Sequence, residues 1–345
     1  MRSKIVKTAT DNGRPKWFHY GMLVAVIHLI GLTLLFLKAR QYPQFLGLGF
    51  LAYTLGLRHA FDADHIAAID NTVRKIIQDR GQPTGVGFFF SLGHSSVVFL
   101  MAMVTAVSMK WAQQNIPQLK AIGGLIGTTV SGSFLLLIGV FNLYIWIDIY
   151  RIFTKMRNGE YDKDNLEYLL LSRGFLARFF NPLFKFISKS WHVYPLGFLF
   201  GLGFDTATEV ALLAVSANAA AQAIPFVAIL SLPILFAAGM SLMDTADGIF
   251  MTIAYNWAFS TPLRKIYYNL TVTGLSVVAA LLIGLIELAQ IIIPKLGLSG
   301  GIWGWIQNLD FGGIGYLLVG LFVFTWGCSY LLWKLLRLEN NESEP

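Results

Sequence analysis

Eight stretches of this chain read as apolar runs of the length an α-helix needs to cross a hydrocarbon core roughly 30 Å thick. They fall at residues 20–37, 44–69, 85–109, 121–149, 193–217, 225–254, 269–293 and 314–336. Runs of this kind cannot be folded into an ordinary soluble core. Composition agrees: hydrophobic residues make up 55% of the 345 and charged residues 13%, against roughly 45–50% and 25% in soluble domains. The chain is therefore read as an all-α polytopic membrane protein, with eight transmembrane helices in one domain over residues 1–345. The first run follows a polar, basic segment and lacks a small-residue cleavage site, so it reads as a retained span.

Orientation follows from the basic residues. With residues 1–19 placed in the cytoplasm, 20 of the 26 Lys and Arg residues fall on cytoplasmic segments, and five (Lys38, Arg40, Lys110, Lys120 and Lys295) fall outside. Both termini, including the tail 337–345, are then cytoplasmic. So is the amphipathic connection 150–192, which is expected to lie partly along the membrane surface. The net charge of +7 is accounted for by this retention signal, and no basic patch on a soluble module suggests nucleic acid. The single cysteine, Cys328, excludes an internal disulfide framework.

Ionisable groups at bilayer depth are costly, on the order of 3 kcal/mol each by insertion scales, and therefore point to function. Here they gather in four stretches: "GLRHAFDADHIAAID" (Gly56–Asp70), "SLGHSSVVF" (Ser91–Phe99), "GLGFDTATEVALL" (Gly201–Leu213) and "GMSLMDTADGIF" (Gly239–Phe250). At about 1.5 Å of rise per residue, His59, His94 and Asp205 lie roughly 13–18 Å from the inner ends of their spans. Four clusters at one depth suggest one shared site. On a continuous helix, His59, Asp62 and His65 share a stripe and Asp64 lies on another face. Two imidazoles and a carboxylate suit a borderline divalent cation such as Ni, Co, Cu or Zn, better than Mg or Ca. Asp64 fits either direct coordination or support of an imidazole.

Several neighbours admit a plainer reading. His94, with Ser95 and Ser96, fits interhelical hydrogen bonding as well as it fits ligation. His28 reads as a packing residue of the first span. Arg58 is expected to be the counter-charge of Asp62, Asp205 or Asp244, and Arg74 and Lys75 to be orientation signals at the inner surface. "AFDADHIAAI" and "GFDTATEVALL" also echo each other, matching Asp62 to Asp205 and His65 to Thr208. An echo offset by three spans predicts an inverted repeat relating spans two and three to spans five and six. The glycines in these helices, and Pro233 in span six, predict interruptions, which are tolerated at depth only beside protein or a water-filled cavity.

With these residues in view, the chain resembles the nickel/cobalt transporter family of high-affinity nickel permeases. "RHAFDADHI" (Arg58–Ile66) matches the family signature, including the spacing of His59, Asp64 and His65. "LGHSSVV", "LGFDTATE" and "GMSLMDTADG" resemble its other motifs. The resemblance implies eight spans, a bacterial-type cytoplasmic membrane, and uptake of Ni(II) and sometimes Co(II) as substrate. It implies a selectivity core of His59, Asp62, Asp64 and His65, aided by His94 and Asp205. Arg58, Ser95, Thr208, Glu209, Asp244 and Asp247 are counted as supporting residues. The expected partners are the lipid bilayer and the divalent cation, with no nucleotide, nucleic acid or resident cofactor. A carrier for Zn, Fe or Mn is the alternative. An intramembrane enzyme is poorly served: the chain has no His-Glu-x-x-His, too few histidines at depth for a di-iron centre, and no nucleophile elbow around Ser95 or Ser96.

Overall fold

The computed structural model describes residues 10–11, 14–15, 17–79, 81–107, 109–157, 187–203, 206–222, 224–258, 269–309 and 311–335. Most of the connection 150–192, the tail 337–345 and Asp205 lie outside the described residues. Apart from a two-residue antiparallel pairing of Thr10–Asp11 with Arg14–Pro15, the described secondary structure is helical. Eleven helices position the site: α1 (Trp17–Ala39), α2 (Gln44–His59), α3 (Ala63–Gln78), α4 (Val86–Val107), α5 (Met109–Arg157), α6 (Tyr194–Gly201), α7 (Ala207–Ala221), α8 (Ser231–Ala258), α9 (Gly274–Lys295), α10 (Gly301–Gln307) and α11 (Phe311–Leu335).

Among the described residues, five segments are long and apolar enough to cross a membrane: Trp17–Ala39, Val86–Val107, Ala121–Arg151, Phe226–Asn256 and Leu270–Lys295. The protein is thus a multi-pass membrane protein. Many large apolar side chains on α1, α9 and α11 are exposed, as lipid-facing residues must be. His28 Nδ1 donates to Val24 O (2.8 Å) and Nε2 contacts the Tyr53 hydroxyl (3.2 Å), in keeping with a packing role.

Two of the expected spans are not single helices. The stretch 44–69 breaks at residues 60–62, where Asp62 adopts an extended ψ of 140° and begins α3. The stretch 193–217 breaks after Gly201 and resumes behind Thr206, whose ψ is 143°. The first break falls on the Phe61-Asp62 dipeptide of the echo. Aspartate and threonine are good residues with which to start a helix, so the sequence ends one helix and opens the next within a few residues. Each break is covered by a glycine of another helix. A Cβ on Gly315 of α11 would overlap the Phe61 carbonyl, and one on Gly127 of α5 would overlap the backbone of Gly203. Pro233 makes no such break. It lies in the first turn of α8, where its missing N–H has no helical partner to lose.

The largest departure from expectation is α3. Residues 70–79 continue that helix instead of forming a solvated cytoplasmic loop, and 13 of its 16 residues are buried. Arg74 and Lys75 are therefore not surface orientation signals. Arg74 is 0% exposed and pairs with Asp70 at 3.0 Å. Its Nε donates to the Tyr255 hydroxyl (3.3 Å), which donates to Asp70 (2.6 Å). Lys75 pairs with Asp79 at 3.1 Å and donates to the Ile187 carbonyl. Asn71 is held by Ala67 O and by Asn142, both at 2.8 Å. A polar helix tolerates burial when its groups find partners in this way.

Gly315→Ala is expected to lower the thermal midpoint of the detergent-purified protein, at an overpacking cost of about 1–3 kcal/mol. Gly320→Ala, where a Cβ meets nothing within 4 Å, serves as control. Equal midpoints for the two variants would show that the break is not held closed by that contact.

Candidate metal centre

The two breaks bring the polar motifs together. His59 ends α2 and His65 lies in the first turn of α3, so the turn between them aims both imidazoles at one point. His94 arrives from α4, Asp244 from α8, and Thr206, Thr208 and Glu209 from the start of α7. The three rings stand with centroids 4.7 Å apart in every pair. One ligand nitrogen from each lies within 4.8 Å of the others, and all three residues are buried.

The Nε2 atoms of His59 and His94 are 3.0 Å apart. Two imidazole nitrogens bound at about 2.1 Å to one ion, roughly at right angles, would be separated by about that distance. Neither ring nitrogen of His65 has a hydrogen-bond partner among the described residues, nor has Nδ1 of His94. Buried orphan nitrogens are costly, and a cation between the rings would satisfy one of the two on His65.

Each imidazole has a carboxylate of its own. Asp62 approaches His59 Nδ1 at 2.9 Å, Glu209 approaches His94 Nε2 at 2.9 Å, and Asp244 approaches His65 Nδ1 at 3.4 Å. The last contact lacks hydrogen-bond geometry. Thr208 Oγ1 adds a 3.0 Å contact to His59 Nδ1. Asp62 and Asp244, on the Nδ1 side, are placed to orient their imidazoles and raise their basicity at Nε2, whereas Glu209 meets His94 at Nε2 itself, the nitrogen that faces His59. Thr206 and Glu209 form the Thr-x-x-Glu pattern of a helix start. The Thr206 hydroxyl donates to Glu209 Oε2 (2.9 Å), leaving Oε1 for His94. The backbone contributes too, because the partly negative C-terminal end of α2 faces the cluster.

His59, Asp62 and His65 do meet here, though not along a stripe of one helix, since Asp62 stands in the turn between two. His94 is a full member of the cluster. It also bonds between helices, through Glu209 of α7, and Ser96 adds a second such contact at the Tyr194 hydroxyl, 2.9 Å away. Ser95 is buried with no partner among the described residues. Asp64 accepts the His65 backbone N–H at 2.9 Å and lines a cavity beside the cluster. Among the described residues, the ion-pair partners of Asp62 and Asp244 are His59 and His65, not Arg58, which lines the same cavity. Asp247 makes no ion pair among them and stands apart from the three rings. The pairing of His94 with Glu209 was not foreseen from sequence; its one signal is a glutamate in an otherwise apolar stretch, Ala207–Ala221.

Imidazoles converging inside an apolar helical bundle define a membrane protein built around a transition-metal cation. Residues 45–332 match the family described as high-affinity nickel-transport protein, NicO, and the chain belongs to that family. It is 56% identical over 336 residues to the nickel transporter NixA of Staphylococcus aureus, covering 97% of this chain and 99% of that one. It is 54% identical over 325 residues to the high-affinity nickel-transport protein NixA of Helicobacter pylori strain J99, covering 92% and 97%. The cobalt transport protein NhlF of Rhodococcus rhodochrous is 37% identical over 327 residues, covering 92% of each chain. No solved structure matches.

Glu209→Gln keeps the size of the side chain beside His94 but removes its charge. Nickel affinity of the purified protein, measured by titration calorimetry, is expected to fall about 10–100-fold. An affinity within twofold of wild type would remove Glu209 from the centre.

Proposed function

We propose that this chain is a secondary transporter that takes up Ni(II), and also Co(II), across the cytoplasmic membrane. It acts as a carrier and not as an enzyme. The cation is held near midplane by His59, His65 and His94, accompanied by Asp62, Asp64 and Asp205. The observation that carries the reading is the convergence of three buried imidazole nitrogens within 4.8 Å. The relative named a cobalt transport protein favours including Co(II) in the cargo.

The proposed topology has eight spans in one domain with both termini inside, counting α2 with α3 and α6 with α7 as interrupted single spans. An inverted repeat is supported by four close backbone approaches. A Cβ on Gly56 would meet the Phe236 carbonyl, and one on Gly197 the Phe90 carbonyl. One on Gly239 would meet the Tyr53 carbonyl, and one on Gly93 the Tyr194 carbonyl. Tyr53 and Gly56 thus correspond to Tyr194 and Gly197, and Phe90 and Gly93 to Phe236 and Gly239. The same contact is made twice, in the manner of transporters whose broken helices meet at midplane.

The proposed mechanism needs no nucleotide and no resident cofactor. An inward-negative potential favours passage of a divalent ion by about 4.6 kcal/mol per 100 mV. Imidazoles strip and hold the ion only when neutral, so protons compete with it. In proteoliposomes, uptake of labelled nickel is expected to weaken as external pH falls below about 6, the ordinary imidazole range. An affinity unchanged from about pH 7.5 to about pH 5 would speak against imidazole ligation. His59→Ala and His65→Ala should each abolish uptake while the protein still inserts. Wild-type uptake by either variant refutes the role given to that residue, and competition by Co, Zn, Fe and Mn during the same assay ranks the cargo.

A further inference from the structure

We infer that the cavity beside the three-imidazole centre contains a second, weaker cation station, built on Glu287 of α9 with Ser131 of α5, where the divalent ion waits with water still attached. The inference rests on the transporter reading above and adds a site that none of the motif residues supplies.

The cavity has a volume of about 360 Å³ and is lined in part by Arg58, Asp62, Asp64, Ser131, Glu287 and Gln290. An ion with six waters needs about 200 Å³, at about 30 Å³ per water. Three carboxylates face one guanidinium, so the lining favours a cation. The cavity reaches the imidazoles through Asp62 and Thr208, both of which touch His59 Nδ1.

Glu287 stands out as a buried acid that lines the cavity from within an apolar segment. The segment Leu270–Lys295 has a mean hydropathy of 2.4, and Glu287 is 4% exposed within it. A buried carboxylate at membrane depth is costly and marks an ion path. Close by, Gly284 of α9 packs against Gly132 of α5: a Cβ on Gly284 would crowd the Gly132 carbonyl at 2.8 Å, and one on Gly132 would crowd Leu288 at 2.9 Å and the Gly284 carbonyl at 3.1 Å. That contact holds the two helices together where Glu287 and Ser131 line the cavity. Ser131 provides an independent sign: it is 3% exposed, lines the cavity, and its hydroxyl has no partner among the described residues.

The ligand chemistry differs from that of the imidazole centre. Carboxylate and hydroxyl oxygens hold a divalent ion through its water shell and do not prefer nickel over magnesium. Discrimination is left to the nitrogens beyond it. Excess Mg2+ should therefore compete for the outer station without being carried.

Nickel binding to the full-length protein in detergent, followed by titration calorimetry, tests the station directly. Wild type is expected to show two classes of site. Glu287→Gln should remove the weaker class and keep the tighter, and His65→Ala the reverse. In proteoliposomes Glu287→Gln should raise KM for nickel about tenfold with kcat within about twofold of wild type. Glu287→Asp should recover most of that loss. A purely structural role would instead lower folded yield or kcat and leave KM unchanged. The inference is overturned if Glu287→Gln retains both classes at wild-type affinity. It is equally overturned if Glu287→Gln fails to fold while Ser131→Ala and Glu287→Asp leave the weaker class untouched, or if wild type has one class indifferent to Glu287. Two classes of binding without any transport would sink the transporter reading and leave the station standing.

Discussion

Everything in this structure depends on the rule that a peptide group inside hydrocarbon must find its partner within the protein, since each unsatisfied one costs several kcal/mol. The chain interrupts two helices at depth and so frees backbone groups where no water can reach from the lipid side. Gly315 and Gly127 lie directly against the two interruptions, where any larger residue would hold the covering helix away. Because the breaks are sealed, helix ends can exist in the middle of the bundle. Because helix ends exist there, His59, Asp62, Thr206 and Glu209 can aim at one point in a way that residues on uninterrupted helices cannot.

Charge at the centre follows from that arrangement. The helices α3 and α7 both begin beside it and bring partly positive ends, which alone would repel a cation. Asp62 and Asp64 stand at the start of α3, and Glu209 in the first turn of α7. Asp244 comes from the side, on α8. The carboxylates offset the helix ends and leave the region negative, and the imidazoles supply nitrogens that oxygen-preferring ions value less. Attraction and discrimination are thus carried by different residues packed against one another.

How much of this could be read from residue order varies by element. The apolar runs of α1, α4, α8 and α9 were plain, because lipid demands continuous hydrophobicity and little else has that pattern. The polar motifs were plain as well, since ionisable groups stand out against such runs. The geometry joining them was not. Periodicity assumes an unbroken helix, and Asp62 lies where the helix stops, so the stripe argument grouped residues that do meet, for the wrong reason. His94 fitted two roles in sequence, and its contacts with His59 and Glu209 serve both. The hardest element was α3, whose Arg74 and Lys75 look like loop residues in sequence. What makes them interior is a set of partners, Tyr255, Thr273 and Ile187, far along the chain, and no local signal announces them.

That last feature bears on how the molecule is made. Arg74 and Tyr255 are separated by 181 residues, and Arg74 and the Thr273 carbonyl by 199. When α3 leaves the ribosome, the helices that will shelter its guanidinium have not yet been synthesised, and lipid offers no substitute. The segment must wait at the water boundary and slot into place only after the C-terminal half has arrived. Its docking is a late event in biogenesis, and chains truncated before residue 255 would leave Arg74 with Asp70 of its own helix but without Tyr255 and the Thr273 carbonyl.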